Sequence, residues 1–127
     1  MSAPPVIGIV DDEADFRRAV TRLLRAHEFE IESFGSGTEF LSAGSNRRYD
    51  CLLVDLLMPG MSGLDVLAAL YGDPEAPPAI VISGQDDPDL FERAKALNAF
   101  ECHSKPIRQD ALLGAITRAL QLRHVHS

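Results

Sequence analysis

Val6-Ile7-Gly8-Ile9-Val10-Asp11-Asp12 is a short β-branched, apolar run that stops on two carboxylates. The design returns along the chain. Cys51-Leu52-Leu53-Val54 stops on Asp55, and Ala79-Ile80-Val81-Ile82 stops on Ser83. A fourth run, Ala99 to His103, leads through Ser104 to Lys105-Pro106. Nearly uninterrupted apolar runs of this length are expected of parallel strands covered by helices on both faces. Between them the period changes to that of a helix. Residues 14–27 place Phe16, Ala19, Val20, Leu23 and Leu24 on one face.

The rest of the chain fits the same alternation. A second strand is expected at 30–34, with Ile31 and Phe34 facing different sides. Ser36-Gly37-Thr38-Glu39 has capping-box spacing and opens a short helix through Phe40 and Leu41. Gly44 to Asp50 is polar and reads as a loop. Strand 3 is expected at 51–55, followed by a loop containing Pro59 and Gly60. Ser62-Gly63-Leu64-Asp65 repeats the capping-box spacing and starts a third helix that ends near Tyr71-Gly72. Strand 4 is expected at 79–83. Asp87-Pro88 pairs an N-cap with proline at the first helical position, and helix 4 presents Leu90, Phe91, Ala94 and Leu97. Strand 5 is expected at 99–103, and the last helix carries Leu112, Leu113, Ile116, Ala119 and Leu120. Five β/α units with short connections predict an α/β fold with a parallel sheet.

Size and composition predict one domain spanning 1–127, and no second domain is expected within it. Hydrophobic residues make up 46%, enough for a core. The net charge of −7 argues against nucleic-acid contact by this segment, because neutralising phosphates needs a basic face. No apolar run approaches the ~18 residues of a membrane span. Met1-Ser2-Ala3-Pro4-Pro5 lacks the basic and apolar character of a signal peptide, so a cytoplasmic location is expected. Cys51 and Cys102 fall on strands separated by another strand. Such strands lie ~9.5 Å apart, beyond the ~7 Å reach of a disulfide, so both read as reduced thiols.

The strands deliver Asp11, Asp12, Asp55, Ser83 and Lys105 at their carboxyl ends. In a parallel sheet those ends share one rim, where ligands bind. Each residue alone has an ordinary reading: an acidic helix start, a turn hydroxyl, an exposed lysine. Together, three carboxylates on one rim repel one another unless a cation neutralises them. Mg²⁺ suits such a site, taking one or two direct carboxylates plus oxygens from water, backbone or phosphate. A cis Lys105–Pro106 bond would turn the ammonium across the rim towards Asp55. Ser83, followed by Gly84, can approach a phosphate oxygen as a donor.

The chain resembles a response-regulator receiver domain of two-component signalling. The resemblance rests on Val10-Asp11-Asp12, the run Tyr49-Asp-Cys-Leu-Leu-Val-Asp55-Leu-Leu-Met-Pro59-Gly-Met-Ser-Gly63-Leu, Ile80-Val-Ile-Ser83-Gly84, and Lys105-Pro106. With Phe40-Leu41 upstream, it is most similar to the FixJ-type subgroup. The resemblance implies a flavodoxin-like (βα)5 fold with strand order 2-1-3-4-5. It implies phosphorylation of Asp55 by a histidine kinase or phosphotransfer protein, with Mg²⁺ held by Asp12, Asp55 and the Leu57 backbone carbonyl, and by Asp11 through water. Lys105 and Ser83 would bind phosphate oxygens. An α4-β5-α5 surface would then switch towards a downstream partner or output domain, or towards a phosphorylation-dependent homodimer. The family usually has Tyr or Phe three residues before the lysine; here that position is Cys102. Phe100, two residues earlier, is expected on the same strand face and joins Ser83 and Cys102 as a switch candidate. Asn98 stands where glycine is usual and also tolerates a left-handed backbone. The resemblance places Leu57 beside the path of attacking water, where it cannot accept a hydrogen bond, whereas the Gln85 amide could position water. These two residues are expected to oppose each other in setting the lifetime of phospho-Asp55.

Two other readings stay open. A phosphorylation-independent interaction module fits the Cys102 departure. A Mg²⁺-dependent phosphohydrolase would need an acid/base Asp two residues after the nucleophile, where Leu57 stands. Gly35-Ser36-Gly37 lacks the third glycine of a nucleotide-binding turn. His103, His124 and His126 with Cys102 read as a strand end and a polar tail rather than a metal site.

Overall fold

The computed structural model describes residues 3–43, 48–84 and 87–125. β1 (Val6–Val10), β2 (Glu30–Phe34), β3 (Cys51–Asp55), β4 (Ala79–Ser83) and β5 (Glu101–Ser104) form one sheet. Its order is β2-β1-β3-β4-β5 and every pairing is parallel. The helices are α1 (Ala14–Ala26), α2 (Gly37–Ala43), α3 (Gly63–Leu70), α4 (Pro88–Ala96) and α5 (Gln109–Val125). This is the expected (βα)5 architecture.

Alternation along the central strands splits the core into two layers. Ile7, Ile9, Cys51, Leu53, Ile80 and Ile82 pack with Val20 and Leu24 of α1 and with Leu112 and Ile116 of α5. Val10, Leu52, Val54 and Val81 face the other way, towards Phe40, Val66, Leu67 and Ala94 of α2, α3 and α4. Both faces of each central strand are therefore apolar, which is why these segments read as continuous hydrophobic runs. Ile31 and Phe34 fall in opposite layers, as predicted. Ala19 is a correction: it is exposed, and the buried face of α1 is centred on Val20 and Leu24.

The helix starts follow their local signals. Ser62 and Asp65 form a complete capping box on α3. Asp87 caps α4 through the Asp89 N–H, with Pro88 beside it. At α2, Ser36 accepts from the Glu39 N–H at 3.1 Å, but the Glu39 carboxylate reaches back to the Gly35 N–H rather than to Ser36. Asn98 adopts φ 71°, the left-handed conformation expected there. Cys51 and Cys102 are free thiols in opposite layers. No helix among the described residues is long and apolar enough to cross a membrane.

The start of β5 differs from expectation. The strand runs from Glu101 to Ser104 rather than 99–103. Phe100 packs in the α1–α5 layer, whereas Cys102 packs in the α2–α4 layer. The two do not share a face. Phe100 precedes the strand, in the turn set by Asn98, so the two-residue period does not relate it to Cys102.

Candidate functional site

The sheet order puts the ends of β1, β3, β4 and β5 side by side. Asp11 directly follows β1. Its N–H donates to the Phe34 carbonyl at 3.1 Å, its carbonyl accepts from Arg17 Nη1 at 2.7 Å, and its carboxylate accepts from the Glu13 N–H at 2.8 Å. Asp55 closes β3, with Oδ1 accepting from the Leu57 N–H at 3.3 Å. Asp11 and Asp55 are 2% and 4% exposed, so two carboxylates lie on the floor while Asp12 is exposed at the mouth. One oxygen from each of the three lies within 4.8 Å of the others. Burial, and then the Asp11 carboxylate, push the Asp55 carboxyl up to about 6; Lys105 and the Leu57 N–H oppose this.

Lys105 follows β5, and its peptide bond to Pro106 is cis. Its N–H donates to the Ser83 carbonyl at 2.7 Å, which ties the loop to the end of β4. Lys105 Nζ is 2.6 Å from Glu13 Oε1, 2.8 Å from Asp11 Oδ2 and 3.7 Å from Asp55 Oδ2. The ammonium thus crosses the rim as expected but bonds Asp11 and Glu13, not Asp55. It also lies 4.3 Å from the centre of the Phe16 ring. Burial lowers the Lys105 pKa, but the bonds to Asp11 and Glu13 outweigh it and the net shift is upward.

Ser83 is fully buried at the end of β4, opposite Ser104. Cys102 is half-buried, with Sγ 3.9 Å from the Phe91 carbonyl of α4. Phe100, in the other layer, is not brought to that place. Leu57 is 42% exposed on the rim. Gln85 lies outside the described residues.

A family model of the response regulator receiver domain matches residues 7–117. The chain belongs to that family. It is 39% identical over 117 residues to response regulator protein TmoT of Ectopseudomonas mendocina, covering 92% of this chain and 53% of the relative. It is similar to the solved FixJ-N structure at 30% identity and TM-score 0.85, covering 95% of this chain and 96% of that one. Chemotaxis protein CheY4 of Vibrio cholerae gives 26% identity and TM-score 0.86, covering 93% and 100%. The chain spans about half the length of the curated relatives it matches.

Two contributors to this receiver's site escape the motif, and a third has a role that the motif does not explain. Glu13 pairs with Lys105, and the only hint in the sequence is a third acid after Asp11-Asp12. Phe16 reads as a core residue, although its ring also faces the ammonium. Gly63 lies in the motif, but its reason is spatial. A Cβ there would stand 2.2 Å from the Asp55 carbonyl oxygen and 2.7 Å from Leu56 Cα. The Gly63 N–H donates to the Leu56 carbonyl at 3.0 Å, so the start of α3 is pressed against the end of β3. Only glycine allows that approach.

The donor set fits a hard divalent cation. All its side-chain groups are carboxylates, two are buried within reach of each other, and the mouth is open to water at Asp12.

Proposed function

We propose that this receiver accepts a phosphoryl group on Asp55 from the phosphohistidine of a histidine kinase or phosphotransfer protein in the cytoplasm. The observation that carries the reading is the buried Asp55 carboxylate, flanked by Asp11 and Asp12, with Lys105 Nζ 3.7 Å away. An Asp55 carboxylate oxygen attacks phosphorus, the O–P bond forms, and the P–N bond to the donor histidine breaks. Asp12, Asp55 and the Leu57 carbonyl would hold Mg²⁺ directly, with Asp11 acting through water. Bound there, the ion neutralises charge on the transferring oxygens and aligns donor and acceptor. Lys105 adds a second positive charge, and Ser83 donates its hydroxyl to a phosphoryl oxygen.

The product carries added negative charge and three strong acceptor oxygens. Drawing Ser83 and Lys105 onto them biases a two-state equilibrium of the α4-β5-α5 surface, where a downstream partner or output domain binds. Taking a population from 1:99 to 99:1 needs about 5.5 kcal/mol. A few charge-assisted hydrogen bonds at about 1.5–3 kcal/mol each supply it. Phe100 is in the opposite layer, so the switch works through Ser83 and the Cys102–α4 contact without that ring. Leu57 in place of an acid weighs against turnover of an external phosphoester, so the domain acts as a regulator rather than a phosphohydrolase.

Incubation with a radiolabelled small phosphodonor and Mg²⁺ tests the reading. The wild type should acquire acid-labile, hydroxylamine-sensitive label, and Asp55→Asn should acquire none. Equal label on the variant would mean that Asp55 is not the acceptor.

A further inference from the structure

The ammonium of Lys105 is held by one side of the site. It has three N–H donors and no acceptor. Two donors are engaged at 2.6 Å with Glu13 and 2.8 Å with Asp11, while Asp55 at 3.7 Å lies beyond hydrogen-bond reach. Phe16 adds its ring face from the same segment. All three groups belong to the end of β1 and the start of α1. Asp55 stands on the neighbouring strand.

Helix formation does not explain Glu13. It occupies the N-cap of α1, where Ser, Thr, Asp or Asn is favoured, and its side chain makes no capping bond. Its own N–H donates to Asp11 Oδ1 at 2.8 Å, which fixes the backbone so that the carboxylate turns over the rim to Lys105. Glu13 is also 61% exposed, so the pair is not required to fill a core.

We propose that Glu13 is a positioning residue that holds Lys105 away from Asp55 in the unphosphorylated receiver and so slows phosphoryl acceptance. The inference rests on Asp55 being the acceptor. Phosphoryl acceptance is faster with the Lys105 charge at the transferring oxygens, and Glu13 competes with them for it. Removing the Glu13 charge frees that donor without touching Asp11, Asp12 or Asp55.

The experiment measures the initial rate of Asp55 labelling by acetyl phosphate. In that reaction the P–O bond to acetate breaks as the Asp55 O–P bond forms, and acetate leaves with the electron pair. Four proteins are compared: wild type, Glu13→Gln, Lys105→Ala, and the double variant. An exposed ion pair supports a gain of about two- to fivefold for Glu13→Gln over wild type. The gain should shrink between 0.05 and 1 M salt as screening weakens the pair in the wild type. In the Lys105→Ala background the Glu13→Gln change should have no effect, because its target is gone. A gain that persists there means that Glu13 acts by its own charge on the donor, and overturns the proposal. So does an unchanged rate for Glu13→Gln in a wild type that labels only at Asp55. A wild type that takes no label overturns the phospho-acceptor reading and this inference together.

Discussion

β3 and β5 reach the same rim from opposite situations. β3 has a strand on each side and helices over both faces, and all five of its residues are buried. β5 is an edge strand with one neighbour, and all four of its residues are partly exposed. What holds them differs accordingly. β3 is fixed by apolar packing in both layers and by the close approach of Gly63. β5 has its pairing with β4 and the Cys102 packing, and polar side-chain bonds add to these. Arg118 of α5 grips Glu101 through two hydrogen bonds at 2.6 and 2.9 Å, and His103 lies 2.9 Å from the same carboxylate. The Arg118 bonds, helped by His103, hold the Glu101 carboxyl down at about 2. The proposed acceptor, Asp55, therefore stands on a fully buried strand, and Lys105 leaves from a partly exposed one.

The largest effect should come from breaking β3 at its end. Gly63→Ala puts a Cβ into the Asp55 backbone, where nothing flexible can yield. A loss of about 2–4 kcal/mol in urea denaturation is expected. An unchanged midpoint would mean that α3 does not press on β3.

Asp55→Asn should act in the other direction, with a pH signature. The wild-type carboxyl sits at about 6 in the fold and near 4 unfolded, so the folded state binds its proton more tightly. Wild-type stability is then highest below pH 4 with respect to this group and is lost as pH rises through 6. In Mg²⁺-free buffer at pH 7.5 the variant should be more stable by about 1–2 kcal/mol, less than the full shift implies because the rim is open to water. The gap should close by pH 4. A gap of constant size across pH 4–8 would remove this electrostatic cause.

Leu57→Asn sharpens the comparison at the exposed lip beyond β3. Asn can orient water that Leu cannot, so phospho-Asp55 should decay about 3–10-fold faster, on the order of 1 kcal/mol in barrier. Decay of label in excess Mg²⁺ after donor removal measures it, and an equal or longer lifetime refutes the idea.

The smallest effects lie in the turns before the edge strands. Glu28 and Asn98, after α1 and α4, have φ of 68° and 71°. Glu28→Gly should gain about 1 kcal/mol, and Asn98→Gly only a few tenths, because Asn already tolerates that conformation. Thermal unfolding of both variants would show the order, and the reverse order would count against backbone strain as the cause.

Legibility in the sequence follows the same division. β3 reads correctly at 51–55 because both of its faces demand apolar residues. Asp11, Asp12, Asp55, Ser83 and Lys105 are brought to one rim because each is bonded in sequence to the end of a strand. β5 reads two residues early because Glu101 and His103 interrupt the apolar pattern, while Ala99 and Phe100 before the strand continue it. The partners of Lys105 were hidden for another reason. The pairing of Glu13 with Lys105 joins positions 92 residues apart, and no local period encodes it.

That span has a consequence for assembly. Asp11, Asp12 and Glu13 follow β1, one of the first segments made, and Asp55 closes β3, whereas Lys105 follows the last strand. Synthesis proceeds N-terminus first at about 5–20 residues per second, so the carboxylates exist for seconds before their counter-charge. A chain with β1 to β4 docked and β5 still loose holds the Asp11–Asp12–Asp55 cluster without the Lys105 ammonium against it. On the proposed reading, acceptance of label needs Lys105 seated at the rim, so time-resolved refolding should show it no earlier than closure of the α1–α5 layer, to which Phe100 and Ile107 on either side of β5 also belong.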